Sequence, residues 1–298
     1  MSLPASNGRN KPSGSDWEIA FSWEDATFRV SDGTDIYWQA WKPAARRVKA
    51  VVAFAHGLGG HSGRFAALGE HLASNGYVML AMDLRGHGRS NGRRGYVRRY
   101  ISALSDFRYL VWIAKNAYPG KAVIAAGHNM GGNLALNLPL SYPGLADGVF
   151  VAAPWLRLAK SSSSLVNSAT AAISSVMPAF TISSGLNPDF IARDSTVIEQ
   201  YRSDPLVHNR VSASLLVELS KAADHILNNA DQINRPLLIM HGAADAVLDP
   251  SGSHQLCAAA QTQRSTCYTY DDVFHDVLND AGHEQAYQHL LDWLYSIT

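Results

Sequence analysis

Five residues, Gly127-His128-Asn129-Met130-Gly131, stand between an apolar run, Ala122 to Ala126, and a segment from Gly132-Asn133-Leu134 that reads as a helix. Glycine two before and two after a central residue, at a strand-to-helix junction, is the spacing of a nucleophile elbow. The need is steric: the central residue occupies a tight, strained turn, and only hydrogen side chains at Gly127 and Gly131 let strand and helix approach closely. Such a turn aims its central side chain at a helix amino terminus, where unpaired N–H groups and the helix dipole favour negative charge. The central residue here is Asn129, a carboxamide, which is a poor nucleophile and is not activated by a histidine base as a hydroxyl is. On its own the pentapeptide is also compatible with an ordinary glycine-containing turn.

Two further features agree with the elbow. Pro236 to Met240 runs into His241-Gly242-Ala243-Ala244-Asp245, which places a carboxylate just past an apolar run, and Asp249 lies four residues on. Asp245 is preferred as the acid because it is closer to the strand end. A short alternating strand, Thr266 to Tyr270, is followed by Asp271-Asp272-Val273-Phe274-His275, and position singles out His275 among twelve histidines. The order is nucleophile position, acid, histidine, in which the histidine takes a proton from the nucleophile and the acid holds the imidazole in its useful tautomer. Ala50 to Ala55 ends in His56-Gly57-Leu58-Gly59-Gly60, a loop whose glycines free the backbone to turn N–H groups toward the elbow. The expected oxyanion donors are the amides of Leu58 and Met130. His56 is expected to anchor the loop by hydrogen bonds, and Gly57 and His128, with Gly127 and Gly131, hold supporting positions.

These residues need a scaffold that brings several strand ends together. Trp17 to Val30 and Ile36 to Trp41 read as strands separated by a turn at Ser31-Asp32-Gly33-Thr34, an antiparallel start. Short, continuously apolar runs follow at Ala50 to Ala55, Tyr77 to Met82, Ala122 to Ala126, Gly148 to Ala152 and Pro236 to Met240, as suits strands buried on both faces of a parallel sheet. Between them Leu104, Phe107, Val111, Ala114 and Tyr118 form one helical stripe that ends before Pro119-Gly120. The alternation predicts an α/β fold with a mostly parallel, doubly wound sheet. Residues 1–16 read as a flexible leader, 17–153 and 235–298 as the core, and 154–234, punctuated by Pro178, Pro188 and Pro205, as an inserted helical cap or lid. The run Ser161 to Ser164, with the small residues to Ser175, also reads as a linker. Against that, Leu165, Val166, Ile173, Val176, Met177, Phe180 and Ile182 are too apolar to stay solvated.

Composition narrows the partners. The 298 residues carry 25 basic and 25 acidic side chains, with 47% hydrophobic and 17% charged residues, which describes a soluble, core-rich chain. A net charge of zero supplies no long-range field for phosphates, so the expected ligand is a neutral small molecule and not nucleic acid. Arg93, Arg94, Arg98 and Arg99 beside Tyr96 and Tyr100 read as a solvated loop and helix start, with an anionic headgroup the alternative. Cys257 and Cys267 are too few for a disulfide framework and have no metal-ligand spacing. Buried free thiols are expected, with a single disulfide the alternative, and no metal. The first sixteen residues lack the apolar core of a signal peptide, so a cytoplasmic location is expected.

Taken together, the motifs HGLGGHSGRF from His56, DLRGHGRSNG from Asp83, GHNMGG from Gly127, SDPL from Ser203, HGAAD from His241 and FHDVLND from Phe274 resemble one family. It is that of the monoacylglycerol lipase and lysophospholipase-like serine hydrolases of the α/β-hydrolase superfamily, from about Phe28 to Trp293. The resemblance implies an α/β-hydrolase fold and hydrolysis of esters with a long acyl chain and a small alcohol part. It also implies a Ser-His-Asp type triad, no cofactor or metal, and a lid that faces lipid or micelles; simple packing of the lid over the pocket is the alternative. SDPL lies in the cap of these relatives, in keeping with the cap assignment. Asn129 departs from the family's serine, which implies an inactive or impaired form. Because the other catalytic positions remain, an active-site substitution is favoured over a natural, non-catalytic, acyl-ligand-binding pseudoenzyme. A third reading takes Asn129 as standing for an aspartate nucleophile, as in relatives that open epoxides or remove halogens, which lack reasons to carry these lipase-like motifs. Oligomeric state is not encoded in any of these features.

Overall fold

The computed structural model describes residues 21–44, 47–159, 164–260 and 265–298. An antiparallel pair, β1 (Phe21–Arg29) and β2 (Asp35–Pro43), turns through Gly33 at φ 83°. Strands and helices then alternate: β3 (Ala50–Ala55), α1 (Ala66–Ser74), β4 (Val78–Met82), α2 (Tyr100–Ala117), β5 (Ala122–His128), α3 (Met130–Ser141) and β6 (Gly148–Ala152). Before the sheet resumes, the chain forms α4 (Ser164–Val176), β7 (Thr181–Ser183), α5 (Ser195–Ser203), β8 (Arg210–Ser212) and α6 (Ala213–Asn228). It returns with β9 (Leu237–Gly242), α7 (Pro250–Ala259), β10 (Ser265–Tyr270) and α8 (His283–Ile297).

The main sheet runs in the order β1-β2-β4-β3-β5-β6-β9-β10, antiparallel where β2 meets β1 and β4 and parallel elsewhere. Its central strands are apolar throughout because both faces are covered. In β5, Val123 and Ala125 join one packed layer while Ile124 and Ala126 join the other. The stripe foreseen on α2 is buried at Leu104, Phe107, Val111 and Ala114, and Gly120, at φ 77°, lies just past the helix end. This is the α/β-hydrolase fold expected above. Residues 17–20 of the expected first strand, and the leader, lie outside the described residues.

The described residues between 154 and 234 hold α4, α5 and α6 and also the antiparallel pair β7–β8, with Ile182 opposite Val211. Ser164 to Ser175 is helix, so the linker alternative fails there; Ser161 to Ser163 lie outside the described residues. His61 Nε2 to Asp204 Oδ2 at 2.7 Å, Arg193 Nε to Asp280 Oδ2 at 2.8 Å and Ser212 N donating to Gly95 O at 2.8 Å tie this segment to the sheet-bearing part. Arg93, Arg94, Arg98 and Arg99 are exposed on the loop before α2. No helix among the described residues is long and apolar enough to cross a membrane.

The expectation of free thiols is corrected: Cys257 on α7 and Cys267 on β10 form a disulfide. Packing of α7 against β10 brings them together, ten positions apart in sequence. Closing a loop of that length restricts the unfolded chain, so reduction is expected to cost about 2–3 kcal/mol. Denaturant midpoints with and without a reductant check this, and equal midpoints would show that the bond contributes nothing.

Candidate active site

The end of β5 and the start of α3 approach too closely for side chains at the two flanking glycines. A Cβ on Gly131 would stand 2.0 Å from the carbonyl oxygen of Ala55, and one on Gly127 would stand 2.3 Å from the carbonyl carbon of Gly131. Between them Asn129 sits at φ 53°, ψ −117°, a strained backbone that asparagine tolerates better than branched residues do. The turn is fastened by Asn129 N donating to Ala152 O at 3.1 Å and by Asn129 O accepting from Trp155 N at 2.9 Å and Asn133 N at 3.1 Å.

The Asn129 side chain makes three hydrogen bonds. Its Oδ1 accepts from Met130 N at 2.6 Å and Leu58 N at 3.2 Å, and its Nδ2 donates to His275 Nε2 at 3.0 Å. The orientation is dictated by chemistry, because two backbone N–H groups are donors only and must meet the amide oxygen. The two amides expected to hold an oxyanion therefore converge on one atom, and that atom belongs to Asn129. A single carboxamide fills the donor pocket and caps the histidine.

His275 Nδ1 donates to Asp245 Oδ2 at 2.7 Å, which leaves Nε2 as an acceptor facing Asn129. Asp245 Oδ1 accepts from Val247 N at 2.8 Å and Leu248 N at 3.0 Å, and a second imidazole, His241, donates from Nε2 to Oδ2 at 3.0 Å. His241 is itself oriented by Ser253 Oγ, 2.8 Å from its Nδ1. Burial would push the Asp245 carboxyl up, but the charge of His275 and the hydrogen bonds from both histidines outweigh it and hold it far below the usual carboxylate range. Burial would likewise push His275 down, yet the Asp245 carboxylate overrides it and raises the imidazole above its ordinary value. Asp249 makes no such contact; it caps α7 by accepting from Ser251 N at 2.8 Å.

His56 is fully enclosed and bridges two loops, with Nδ1 donating to Gly57 O at 2.7 Å and Nε2 accepting from Leu84 N at 2.9 Å. Gly57 has no room for a side chain, since a Cβ there would meet the Asn129 Cβ at 2.8 Å. The His128 ring lies 4.7 Å from that of His275, and its Nε2 is 3.3 Å from the His275 carbonyl oxygen. Sequence reasoning missed His241, Ser253, and the buried pair of Arg64 with Asp276 at 2.7 Å, where Arg64 also lies over the Tyr201 ring of α5. His241 had a legible signal, four residues before Asp245 at a strand end; the others become neighbours only through packing.

Burial pushes the His56 imidazolium down to about 3 and that of His128 down to about 4, so both are neutral in the fold. In the unfolded chain both titrate near 6.5, so their contribution is complete above pH 6.5 and is lost as pH falls toward 4. His275, raised in the fold, contributes a constant amount below pH 6.5 and loses it only as pH rises through its folded value. Stability is therefore expected to drop between pH 6.5 and 4.5 by on the order of 1.4 kcal/mol per pH unit for each of His56 and His128. Urea unfolding across that range checks it; a flat profile would mean that both rings take up protons without unfolding.

A mostly parallel sheet, a glycine-flanked elbow, a backbone donor pair and an acid–histidine pair at the strand ends define the α/β-hydrolase class. Residues 46–282 match the serine aminopeptidase, S33, family, and the chain belongs to that family of serine hydrolases of lipase and esterase type. A monoacylglycerol lipase of Mycolicibacterium smegmatis is 28% identical over 271 residues, covering 91% of this chain and 96% of that one. A monoglyceride lipase homolog of Monkeypox virus is 30% identical over 234 residues, with 78% and 84% covered. An uncharacterized abhydrolase domain-containing protein of Dictyostelium discoideum is 30% identical over 89% of this chain, which spans 28% of that protein's length. Among solved structures, Paleococcus ferrophilus monoacylglycerol lipase superposes with a TM-score of 0.81 at 26% identity, covering 88% of this chain and 99% of its own.

Proposed function

We propose that the chain is a hydrolase of neutral acyl esters, of monoacylglycerol lipase type, whose turnover is suppressed by Asn129 at the nucleophile position. One observation carries the reading: the Asn129 carboxamide joins the Leu58 and Met130 amides to His275, where a serine hydroxyl would need the base and leave the amides free for substrate. With serine there, His275 accepts the hydroxyl proton as the oxygen attacks the ester carbonyl, and Asp245 holds the imidazole and steadies its positive charge. The amides of Leu58 and Met130 bind the tetrahedral oxyanion, and His275 returns the proton to the departing alcohol before water releases the acyl group. His56 and Gly57 keep the Leu58 amide in place, Gly127 and Gly131 keep the elbow tight, and His128 supports the His275 loop. No cofactor or metal is needed.

Residues 17–153 and 235–298 act as the core and 154–234 as a cap. The substrate class is supported by the monoacylglycerol and monoglyceride lipases that the chain is similar to and by the zero net charge. Exposed Val176, Met177, Phe180 and Ile182 support contact of the cap with lipid or micelles. The Cys257–Cys267 bond favours an oxidising compartment over the cytoplasm expected from the sequence. The test compares this chain with Asn129→Ser on p-nitrophenyl esters of graded length, on monoacylglycerol, and with a fluorophosphonate probe. Labelling and ester cleavage by the serine form alone support the reading, and chain-length preference then reports the acyl pocket. A serine form inert to both ester and probe overturns it.

A further inference from the structure

We propose that Asn129 is a self-modification site, at which the acyl-transfer machinery hydrolyses the enzyme's own side-chain amide and converts Asn129 to aspartate with release of ammonia. The inference rests on reading the site as an acyl hydrolase and asks what such a site does to an amide it already holds. The Asn129 carboxamide is placed as a scissile amide would be. Its oxygen lies between the two donors, Met130 N at 2.6 Å and Leu58 N at 3.2 Å, which polarise Cγ. Its nitrogen, the leaving atom, lies 3.0 Å from His275 Nε2, and the other ring nitrogen of His275 is held by Asp245 at 2.7 Å. Asn129 is buried, so this arrangement is not exchanged for hydration.

The chemistry balances with water as the only co-reactant. Water adds to Cγ and its proton passes to His275 Nε2, while the C=O electron pair moves onto Oδ1 and is met by the two N–H groups. The tetrahedral intermediate collapses, the Cγ–Nδ2 bond breaks with its electron pair on nitrogen, and that nitrogen takes the proton from Nε2 and leaves as ammonia. The carboxylic acid left behind gives its proton to His275. Carboxamide plus water has become carboxylate, imidazolium and ammonia. The product is favoured by the same surroundings: a negative charge at the amino terminus of α3, between two N–H donors and beside a cationic ring.

The competing path to the same aspartate runs through a cyclic imide, formed when Met130 N attacks Cγ. Here that nitrogen is the first residue of α3 and donates its proton to Oδ1, so the helix start must unwind before it can attack. The two paths leave different products, since imide opening yields a mixture with isoaspartate and direct hydrolysis yields aspartate alone.

The experiment incubates the purified chain in ordinary and in 18O water over days at several pH values, with intact-mass measurement and peptide mapping. The expected result is a gain of about one dalton in ordinary water and about three in 18O water, confined to residue 129, without isoaspartate. The rate should level off once His275 is neutral, and His275→Gln and Asp245→Asn should each slow it by about tenfold or more. No change at residue 129, an isoaspartate mixture, or a rate that climbs without a plateau overturns the proposal, and the plateau is read on the unsubstituted chain if the variants fail to fold. An ester-cleaving Asn129→Ser form beside an unaltered Asn129 overturns this proposal alone, whereas an inert serine form overturns the reading beneath it.

Discussion

Asn129→Ser is expected to hydrolyse p-nitrophenyl esters about 10⁴-fold or more faster than the parent chain, and to be the less stable protein of the two. The rate follows from what the substitution supplies and what it vacates. A hydroxyl at the elbow gains a base already oriented by Asp245, and the Leu58 and Met130 amides lose the Asn129 oxygen that occupies them. The parent lacks the nucleophile and its own side chain blocks the donor pair, so it retains only the acceleration that positioning gives. The stability cost has the same origin, because the buried Met130 N–H and the half-buried Leu58 N–H lose a protein acceptor and His275 loses a donor. That is worth about 1–3 kcal/mol, a drop of a few degrees in melting temperature. Steady-state kinetics and calorimetry on the pair test both halves. Turnover within tenfold of the serine form would mean that Asn129 is no obstacle, and equal melting temperatures would mean that its hydrogen bonds add nothing.

Gly131→Ala is expected to destabilise the fold by about 4 kcal/mol or more, among the largest effects of any single methyl group in the chain. The added carbon would meet the Ala55 carbonyl oxygen at 2.0 Å, its carbon at 2.4 Å and the His56 carbonyl oxygen at 2.7 Å, all of them backbone atoms that no rotamer change can move. Relief requires α3 to back away from β3, which carries the Met130 amide away from the Leu58 amide. In the Asn129→Ser background a displacement of about 1 Å should cost a further hundredfold in turnover, beyond any loss of folded protein. Denaturant unfolding of the alanine variant decides the first part. A midpoint shifted by less than about 1 kcal/mol would show that strand and helix can part at little cost.

Much of the architecture is legible because it depends on local pattern. Ala50 to Ala55 and Gly148 to Ala152 are foreseen to the residue, since a strand buried on both faces has no polar position to blur its ends. The glycines of the elbow betray a close approach before the partner, Ala55, is known. What pattern cannot carry is contact between distant segments. The three-residue strands Thr181–Ser183 and Arg210–Ser212 are too short to show a period, and they pair only because the chain between them folds back. The Cys257–Cys267 bond needs a helix to be laid beside the next strand, which ten residues of sequence do not announce. Nor does the identity of Asn129 reveal that its two ends would satisfy three separate partners, since that depends on where Leu58 and His275 arrive.

The disulfide also bears on the geometry of the site. Asp245 follows β9, α7 begins a few residues later, and Cys257 on that helix is bonded to Cys267 on β10, the strand that leads to His275. Asp245 and His275 therefore stand on the two segments that flank the disulfide-closed loop, at the edge of the sheet. Asn129 and the Leu58 amide follow β5 and β3 at its centre, where the glycine contacts of the elbow hold strand and helix together. The Asn129–His275 hydrogen bond links the two places across β6, which pairs with both β5 and β9. By tying the helix after Asp245 to the strand before His275, the disulfide limits how far those two side chains can drift apart, so the 2.7 Å contact between them is braced from outside the site.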